Sequence, residues 1–211
     1  GIMMENYGDI PFYPGRVPVE TVSFMTRIGC EIKKITSLPL GVNVLRNDAI
    51  SALAIATAID AQFNRTNVHR GITTSEQGWL IGNAHEVLRY RKKLDTNILV
   101  LADVAVKHSY PFVSVPLSDQ IKDAVVRALA DAVIITGTRT GLPIEHKKLR
   151  TAQQVAHDLN VPLVIGSGVT IQNFKKMLAW ADGAIVGTVL RNGDLSRPID
   201  SEIARTLIKQ K

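Results

Sequence analysis

Short apolar or β-branched runs alternate along this chain with longer amphipathic stretches. Most of the runs are bounded by Gly, Pro, Asp or Asn, as β-strands tend to be. They predict seven strands: GIMME (1–5), LGVNVL (40–45), FNRTNV (63–68), NILVLADV (97–104), AVIITG (132–137), LVIGSG (163–168) and AIVGT (184–188).

The stretches between the strands have the periodicity of helices that bury one face. In the first stretch, apolar residues recur at steps of three or four positions. They are Val22, Met25, Ile28, Ile32 and Ile35. The segment 48–59 starts at Asp48, a residue type that caps helices, and is apolar on most sides, which predicts a buried helix. The remaining predicted helices are 81–94, 118–130, 144–159, 171–180 and 200–210.

The alternation of strand and helix predicts parallel strands joined by right-handed helical crossovers. An open doubly wound sheet and a closed (β/α) barrel both fit this pattern. The sequence has neither a GxGxxG after its first strand nor a GxxxxGK[ST], so no nucleotide-binding motif favours the open sheet. The last two predicted strands end in glycines, and barrels often bind phosphate with the loops after their last two strands. We therefore expect an α/β fold of the (β/α)8 TIM-barrel type, as a single domain over residues 1–211.

The position of the glycine-ended strands affects the expected strand count. They are the sixth and seventh predicted strands, whereas the phosphate loops of a complete barrel follow strands 7 and 8. The simplest interpretation is that the barrel is N-terminally incomplete and lacks its first strand and helix. A seven-stranded or open barrel is the alternative. On the first interpretation two strand edges are exposed, and residues 1–211 expressed alone are expected to aggregate or form oligomers.

Composition argues against several classes of function. The 25 basic and 19 acidic residues give a charge of +6, but the basic residues are scattered over helices and aromatic residues make up only 5%, which argues against nucleic acid as a partner. The single cysteine, Cys30, excludes a disulfide framework and a cysteine zinc cluster. No run of about 18 apolar residues predicts a membrane span. GIMMEN shows no signal-peptide or transit-peptide pattern, so we expect a cytoplasmic or organelle-matrix location, with any targeting segment before residue 1.

The glycines at the last two strand ends are the candidate phosphate site. In a barrel the chemistry takes place where strands end and helices begin. A backbone without Cβ lets an anion approach amide N–H groups closely. The residues predicted to bind phosphate are Gly166, Ser167, Gly168, Gly187 and Thr188. Thr170 is expected to cap the next helix, whose N-terminus favours an anion. Tight turns without a ligand are the alternative.

The segment LADVAVKHS is the best candidate for acid–base chemistry. Asp103 ends its strand, Lys107 and His108 follow about one turn later, and Glu5 ends the first strand. A carboxylate, an ammonium and an imidazole at one mouth can transfer protons or stabilise an enolate. No cofactor is evident, although Asp103 and His108, helped by Glu5, could hold a divalent metal in part. A salt-bridged loop without catalytic function is the alternative.

Neutral polar residues at strand ends are better suited to orienting a substrate than to proton transfer. The candidates are Asn6, Asn43, Asn67 and Thr136. The asparagines could equally cap loops. The loop-rich segment 69–83 is expected to act either as a lid, with Trp79 over the site, or as simple packing. His146 and His157 fall in a helix and are expected to face solvent.

Six segments together resemble the BtpA/SgcQ family, over a span from residue 1 to about residue 200. They are MMENYGDIPF, PLGVNVLRND, NVHRGITTSEQG, LADVAVKH, ADAVIITGTRTG and IGSGVT…ADGAIVGT. The resemblance implies a domain similar to the ribulose-phosphate-binding (β/α)8 barrels, with a further strand and helix before the ENYGD segment. It brings no established mechanism. The family name comes from a cyanobacterial role in photosystem I biogenesis, and a sugar-related enzyme is expected elsewhere. Arg191 stands where we expect a lysine in the last strand loop.

Two functions follow as hypotheses. The first is an enzyme that isomerises, epimerises or cleaves a small phosphorylated metabolite, with Asp103 or Glu5 as base and Lys107 or His108 as acid or enolate stabiliser. The second is a non-catalytic assembly or regulatory factor of the photosystem I biogenesis type. The number of ionisable residues at strand ends exceeds what a scaffold needs and favours the enzyme. A homo-oligomer is compatible with either function.

Overall fold

Ten strands and seven α-helices make up the part of the chain that the computed structural model describes, which is residues 1–105, 109–137 and 144–210. The strands are β1 (Ile2–Glu5), β2 (Leu40–Asn43), β3 (Phe63–Thr66), β4 (Ile72–Ser75), β5 (Gly78–Ile81), β6 (Leu99–Val104), β7 (Tyr110–Pro111), β8 (Ala132–Ile135), β9 (Leu163–Ile165) and β10 (Gly183–Ala184). The helices are α1 (Val19–Ile35), α2 (Ala49–Ala58), α3 (Ala84–Lys93), α4 (Leu117–Lys122), α5 (His146–Asp158), α6 (Phe174–Leu178) and α7 (Ser201–Lys209). A π-helical turn, Asp123–Arg127, continues α4, and a 3-10 turn, Val189–Arg191, follows β10.

Seven strands form one parallel sheet in the order β1-β2-β3-β6-β8-β9-β10. Neighbours in this sheet follow the chain order, as in a (β/α) barrel, whereas a doubly wound sheet reverses its order at a switch point. The predicted barrel-type α/β fold is confirmed, and each of the seven predicted strands lies in this sheet. Within the described residues no ladder joins β1 to β10, so these two strands form the ends of the order.

Alternating side chains on the strands separate an outer layer from an inner one. On the outer face, Val42 and Val100 are fully buried in a cluster that includes Leu53 of α2. On the inner face, a Cβ at Gly41 would lie 1.9 Å from Cε2 of Phe63, so the aromatic ring requires glycine on the neighbouring strand. The outer layer therefore carries the apolar core, and the inner face is left for other side chains.

Helix α2 confirms the prediction of a buried, Asp-capped helix. The Asp48 carboxylate accepts a hydrogen bond from the Ser51 backbone N–H at 3.0 Å, and most of the helix is buried. His146 and His157 are exposed, as expected, and Cys30 is half-buried. Of the helices in the described ranges, none is both long and apolar enough to cross a bilayer.

The segment 69–83 forms a β-hairpin, which the sequence did not predict. Strands β4 and β5 pair antiparallel, and β7 joins β4 from much later in the chain, giving a small sheet in the order β5-β4-β7. The ring of Trp79 lies 5.3 Å from that of Phe112 between centroids and is more than half exposed. Trp79 therefore packs on the segment that follows β7.

Candidate functional site

Arg65 of β3 lies at the centre of a charged network on the inner face of the parallel sheet. Its side chain is 5% exposed. Nε donates to Asp103 Oδ1 at 3.0 Å and Nη2 donates to Asp103 Oδ2 at 2.9 Å, which makes a bidentate ion pair with β6. Nη1 donates to Glu5 Oε1 of β1 at 3.4 Å. The network therefore connects three strands of the sheet.

Strand register explains why these side chains meet. Glu5 is paired with Asn43, and the β2–β3 register that aligns Val42 with Asn64 places Asn43 beside Arg65. Asn43 Nδ2 donates to Glu5 Oε1 at 2.9 Å. Arg65 is aligned with the residue two positions before Asp103, and residues two apart on a strand share a face. The predicted residues Glu5, Asn43 and Asp103 are thus brought together around Arg65.

The electrostatics of the network fix the charge on Arg65. Burial opposes that charge, but attraction to Asp103, and then to Glu5, outweighs it and raises the pKa of Arg65 above its ordinary value. The Asp103 side chain is fully buried, and its Oδ2 also accepts a hydrogen bond from Asn67 Nδ2 at 3.0 Å. The Glu5 side chain is 25% exposed. Of the two carboxylates, Glu5 is the more exposed.

A cleft of about 930 Å³ lies between β1 and the segments that follow β9 and β10. Glu5 and Arg65 line it from one side. All five predicted phosphate-binding residues line it as well: Gly166, Ser167, Gly168, Gly187 and Thr188. The structure therefore brings the predicted phosphate site and one predicted catalytic carboxylate to a single cavity.

The three glycines predicted to bind phosphate have different structural roles. A Cβ at Gly166 would lie 2.6 Å from Ile134 Cγ2 and 3.3 Å from Arg65 Nη2, so this glycine lets the guanidinium approach the backbone. Gly168 has φ +77°, a conformation that favours glycine. A Cβ at Gly187 would meet no atom within 4 Å. Gly187 thus borders open space in the cleft.

The expectation that Thr170 caps the next helix is wrong. Helix α6 begins at Phe174, and a turn separates it from Thr170, whose Oγ1 accepts a hydrogen bond from Asn173 N at 3.3 Å. Asn173 is the N-cap residue, and its Nδ2 donates to Gly168 O at 2.9 Å. Thr170 therefore shapes the glycine loop and lines the cleft, while α6 is too short to supply much dipole.

The remaining predicted site residues hold the protein together. Asn6 Oδ1 accepts from Leu45 N at 2.7 Å, which ties the end of β1 to the segment after β2. Thr136 is fully buried, and its carbonyl accepts from Lys148 Nζ at 2.9 Å. Burial lowers the pKa of Lys148, an effect that Glu145 partly offsets. Neither Asn6 nor Thr136 lines the cleft.

Two predicted catalytic residues, Lys107 and His108, lie outside the described residues. The predicted metal set of Glu5, Asp103 and His108 includes one of them. Within the ranges that the structure describes, no three His, Cys, Asp or Glu side chains are grouped as metal ligands. Arg65 bridges Glu5 and Asp103, so a cationic side chain already lies between these two carboxylates.

Comparison with known proteins identifies the family. The sequence model of the BtpA family matches residues 1–211. The photosystem I biogenesis protein BtpA of Synechocystis sp. is 42% identical over 201 residues, which are 95% of this chain and 69% of that protein. An uncharacterized protein of Archaeoglobus fulgidus is 44% identical over 208 residues, 99% of this chain and 80% of that protein. The chain belongs to the BtpA family.

Solved structures with this fold are TIM-type barrels. Phosphoribosyl anthranilate isomerase from Thermococcus kodakaraensis has a TM-score of 0.60 at 11% identity, covering 99% of this chain and 97% of that chain. Thiamine phosphate pyrophosphorylase from Pyrococcus furiosus has a TM-score of 0.58 at 13% identity, and the match covers 99% of this chain and 82% of that chain. At such low identity the similarity shows the fold alone, which the BtpA-family chain shares with phosphate-binding barrel enzymes.

Sequence reasoning missed the central residue of this BtpA-family site. Arg65 lies inside a predicted strand, whereas the rule for barrels points to strand ends. The sequence does contain a sign of its role. Phe63, Arg65 and Asn67 alternate along the strand, so the Arg65 charge lies on the same face as the Asn67 amide at the strand end. Arg46, at the end of β2, is also nearly buried, and burial lowers its pKa.

Proposed function

We propose that this BtpA-family chain is an enzyme that binds a small phosphorylated metabolite in the cleft between β1 and β10 and transfers a proton on it. The observation that carries the proposal is the presence of Glu5, Arg65 and the glycine-ended segments in one cavity. Isomerisation and epimerisation begin with the removal of a proton from carbon, whereas aldol-type cleavage begins with the removal of a hydroxyl proton and forms its enolate when the C–C bond breaks.

The glycine-ended segments are suited to the phosphate. Gly187 is open, and hydroxyl groups of Ser167 and Thr188 lie in the same wall of the cleft. Arg191 also lines this wall, donating to the Arg197 carbonyl, and adds positive charge. Two enzymes that share the fold are named for phosphorylated compounds, which supports a phosphate ligand by analogy.

Glu5 is the better base of the two predicted carboxylates. Asp103 is fully buried and accepts bonds from Arg65 and Asn67, so it is a positioning residue that orients the guanidinium. The hydrogen bonds to Glu5 from Asn43 and Arg65 both end on Oε1, and the side chain is partly exposed. A base has to reach the proton that it removes, and Glu5 meets this condition.

The proposed reaction moves a proton between Glu5 and a carbon of the ligand. Glu5 takes a proton from a carbon next to a carbonyl group of the ligand, and the C–H electron pair moves to the carbonyl oxygen, forming an enolate. Nη1 and Nη2 of Arg65 each carry a second hydrogen, and the permanently charged guanidinium stabilises that oxygen. Glu5 then returns the proton to the same carbon. In a ligand with a hydroxyl group on that carbon, Glu5 can instead return it to the former carbonyl carbon while the hydroxyl proton moves to the enolate oxygen. Lys107 and His108 stay predicted acids for the enolate oxygen.

The phosphate site is tested by thermal unfolding of the full-length protein with a panel of triose to hexose phosphates. We expect a binding sugar phosphate to raise the free energy of unfolding by about 2.7 kcal/mol at 100 times its Kd. Gly187→Asp should abolish the response, because its carboxylate repels the phosphate without straining the backbone. Gly187→Ala adds only a methyl group and should keep it. No response of the wild-type protein to any of these phosphates would exclude the site.

The catalytic role of Glu5 is tested by hydrogen–deuterium exchange at ligand carbons in D2O, followed by NMR. The wild-type protein should exchange a C–H next to the carbonyl of its ligand. Glu5→Gln retains the hydrogen-bond acceptor for Asn43 but cannot take the proton, so the exchange rate should fall by about 100-fold or more while the Kd stays within about twofold. An unchanged exchange rate would show that Glu5 is not the base.

A non-catalytic assembly factor is the second candidate function. The specific observation in its favour is the 42% identity to a protein named for photosystem I biogenesis. Binding of a phosphorylated ligand without any exchange at carbon would support this second function. Exchange that depends on Glu5 would support the enzyme.

A further inference from the structure

A second cavity, of about 370 Å³, lies under the small β5-β4-β7 sheet at the carboxyl ends of β3 and β6. Its size falls within the range of about 300–1,000 Å³ that is typical of small-molecule sites. Its apolar wall includes Val68, Ile72, Val104, Pro111, Phe112 and Val113. We call this cavity the hairpin pocket.

The hairpin pocket and the cleft meet at one ion pair. Arg65 lines the cleft, and its bidentate partner Asp103 lines the hairpin pocket together with Asn67. A ligand whose phosphate lies beside Gly187 in the cleft therefore has the hairpin pocket on the far side of the Arg65–Asp103 pair. The two cavities therefore adjoin the same ion pair from opposite sides.

Several polar side chains of the hairpin pocket are engaged within the protein. Thr73 Oγ1 donates to Tyr110 O at 2.8 Å, and Gln120 Nε2 donates to Val115 O at 2.7 Å. Both bonds stabilise the wall of the pocket. Both oxygens of Asp103 accept bonds from Arg65, so this carboxylate is also engaged.

Asn67 differs from these residues because half of its amide is unsatisfied. Its Nδ2 donates to Asp103 Oδ2 at 3.0 Å, and this orientation is required because a carboxylate only accepts. Oδ1 lies on the other side of the amide group, buried, and within the described residues no donor reaches it. A buried acceptor without a donor costs free energy, which a ligand N–H or O–H would recover.

We propose that the hairpin pocket binds the neutral, largely apolar end of the ligand and that a donor on this end bonds to Asn67 Oδ1. The apolar walls disfavour an anionic group at this end. The Arg70 guanidinium, which also lines the hairpin pocket, is already engaged, because it donates to Gln120 O at 3.1 Å and lies 3.9 Å from Asp123 Oδ2. The inference rests on the proposed function, which places the phosphate of the same ligand in the cleft. It narrows the ligand class to phosphorylated compounds with a compact apolar or aromatic group that carries an N–H or O–H.

The hydrogen bond is tested with indole and 1-methylindole, two probes that differ in the single N–H donor. Their Kd values for the full-length protein are measured by ligand-observed NMR. Indole should bind at least about fivefold more tightly, because only indole donates to Asn67. Equal affinities would refute the bond to Asn67, and no binding of either probe would refute the pocket.

The location is tested with a matched pair of variants in the hairpin. Ile72 lines the hairpin pocket, whereas Ile81, its partner across the β4–β5 ladder, is half exposed and does not line it. Ile72→Trp should weaken indole binding at least about tenfold by filling the pocket, and Ile81→Trp should leave it unchanged. Equal effects of the two substitutions, or no effect of Ile72→Trp, would place indole elsewhere.

A third measurement separates this inference from the proposed function. Ribose 5-phosphate should bind together with indole, should lose its binding in Gly187→Asp and should keep it in Ile72→Trp. If indole binds but ribose 5-phosphate does not, the proposed phosphate site in the cleft is wrong, and the hairpin pocket is a binding site without it. If ribose 5-phosphate binds but indole does not, the hairpin pocket is wrong. Mutual exclusion of the two probes would contradict the two-ended ligand.

Discussion

A buried histidine at the end of β3 makes the stability of this protein depend on pH. His69 is almost fully buried, and its Nε2 lies 2.8 Å from Ala128 O, so Nε2 carries the proton and donates it. Nδ1 is buried, and none of the described residues bonds to it. Burial lowers the pKa of His69, and the bond to Ala128 offsets this only in part. The folded protein therefore holds the neutral ring.

The sign of the pH effect follows from the lowered pKa of His69. The unfolded chain takes up a proton on this residue near pH 6.5, whereas the folded protein does so only at lower pH. The stability that depends on the neutral ring is thus complete above about pH 6.5 and is lost as the pH falls towards the folded-state pKa. Between about pH 7.5 and about pH 5.5, the free energy of unfolding in urea should fall more for the wild type than for His69→Gln.

The choice of variants makes this pH prediction specific. Gln can still donate to the Ala128 carbonyl but does not titrate. His157→Gln serves as the control, because this histidine is exposed and its loss should leave the pH dependence as in the wild type. Parallel curves for the wild type and His69→Gln would contradict the prediction.

At the scale of single elements, the strands of the parallel sheet could be predicted and the hairpin could not. Strands such as β8 are buried on both faces and appear as continuous apolar runs, which the sequence shows directly. Strand β4, with Thr73 and Thr74, is polar and short, and it gains its second partner from Tyr110 and Pro111. A pairing between such distant segments leaves no local pattern in the sequence. The segment 69–83 therefore has the sequence features of a loop.

The candidate site was predictable only at the strand ends. Glu5 and Asp103 follow from the rule that barrel chemistry lies at the carboxyl ends of strands. Arg65 does not follow from that rule, because its partners are set by the register of β1, β3 and β6. Register depends on the pairing of the whole sheet and cannot be deduced from one strand.

The cap of α2 gives a prediction for one helix. The Asp48 carboxylate accepts bonds from Ser51 N at 3.0 Å, from Ser51 Oγ at 2.6 Å and from Val17 N at 2.9 Å, so it also holds the segment before α1. Asp48→Ala should reduce the free energy of unfolding by about 2 kcal/mol, the upper end for N-caps. Asp48→Asn should lose less, because its Oδ1 still accepts. Urea denaturation measures both changes.

A second capped helix provides the control for Asp48. Asp200 caps α7 with bonds from Glu202 N at 2.9 Å and Ile203 N at 3.2 Å, and it lies in a more exposed part of the protein. Asp200→Ala should therefore cost only about 0.5–1 kcal/mol. Equal losses for Asp48→Ala and Asp200→Ala would show that the buried bond to Val17 adds nothing to stability.

At the scale of the whole molecule, the region around β1 leaves apolar surface uncovered. Strands β1 and β10 end the sheet order, and the cleft lies between them. On helix α1, Phe24 is 68% exposed, Ile28 53% and Ile35 84%, so the expectation that Ile28 and Ile35 lie on a buried helix face is wrong. These three positions fall on one face, because steps of four and eleven residues return to nearly the same side of a helix. Apolar surface of this kind favours association.

We therefore expect residues 1–211, expressed alone, to self-associate through this face of α1. Light scattering after gel filtration should give a mass that rises with protein concentration. Phe24→Gln combined with Ile28→Gln should lower that mass, because it removes the centre of the apolar face while keeping the helix. Val126→Gln removes an equally exposed apolar residue far along the chain and should have no effect. A monomer at every concentration would contradict the prediction, and an equal effect of Val126→Gln would assign association to general surface hydrophobicity instead of this helix face.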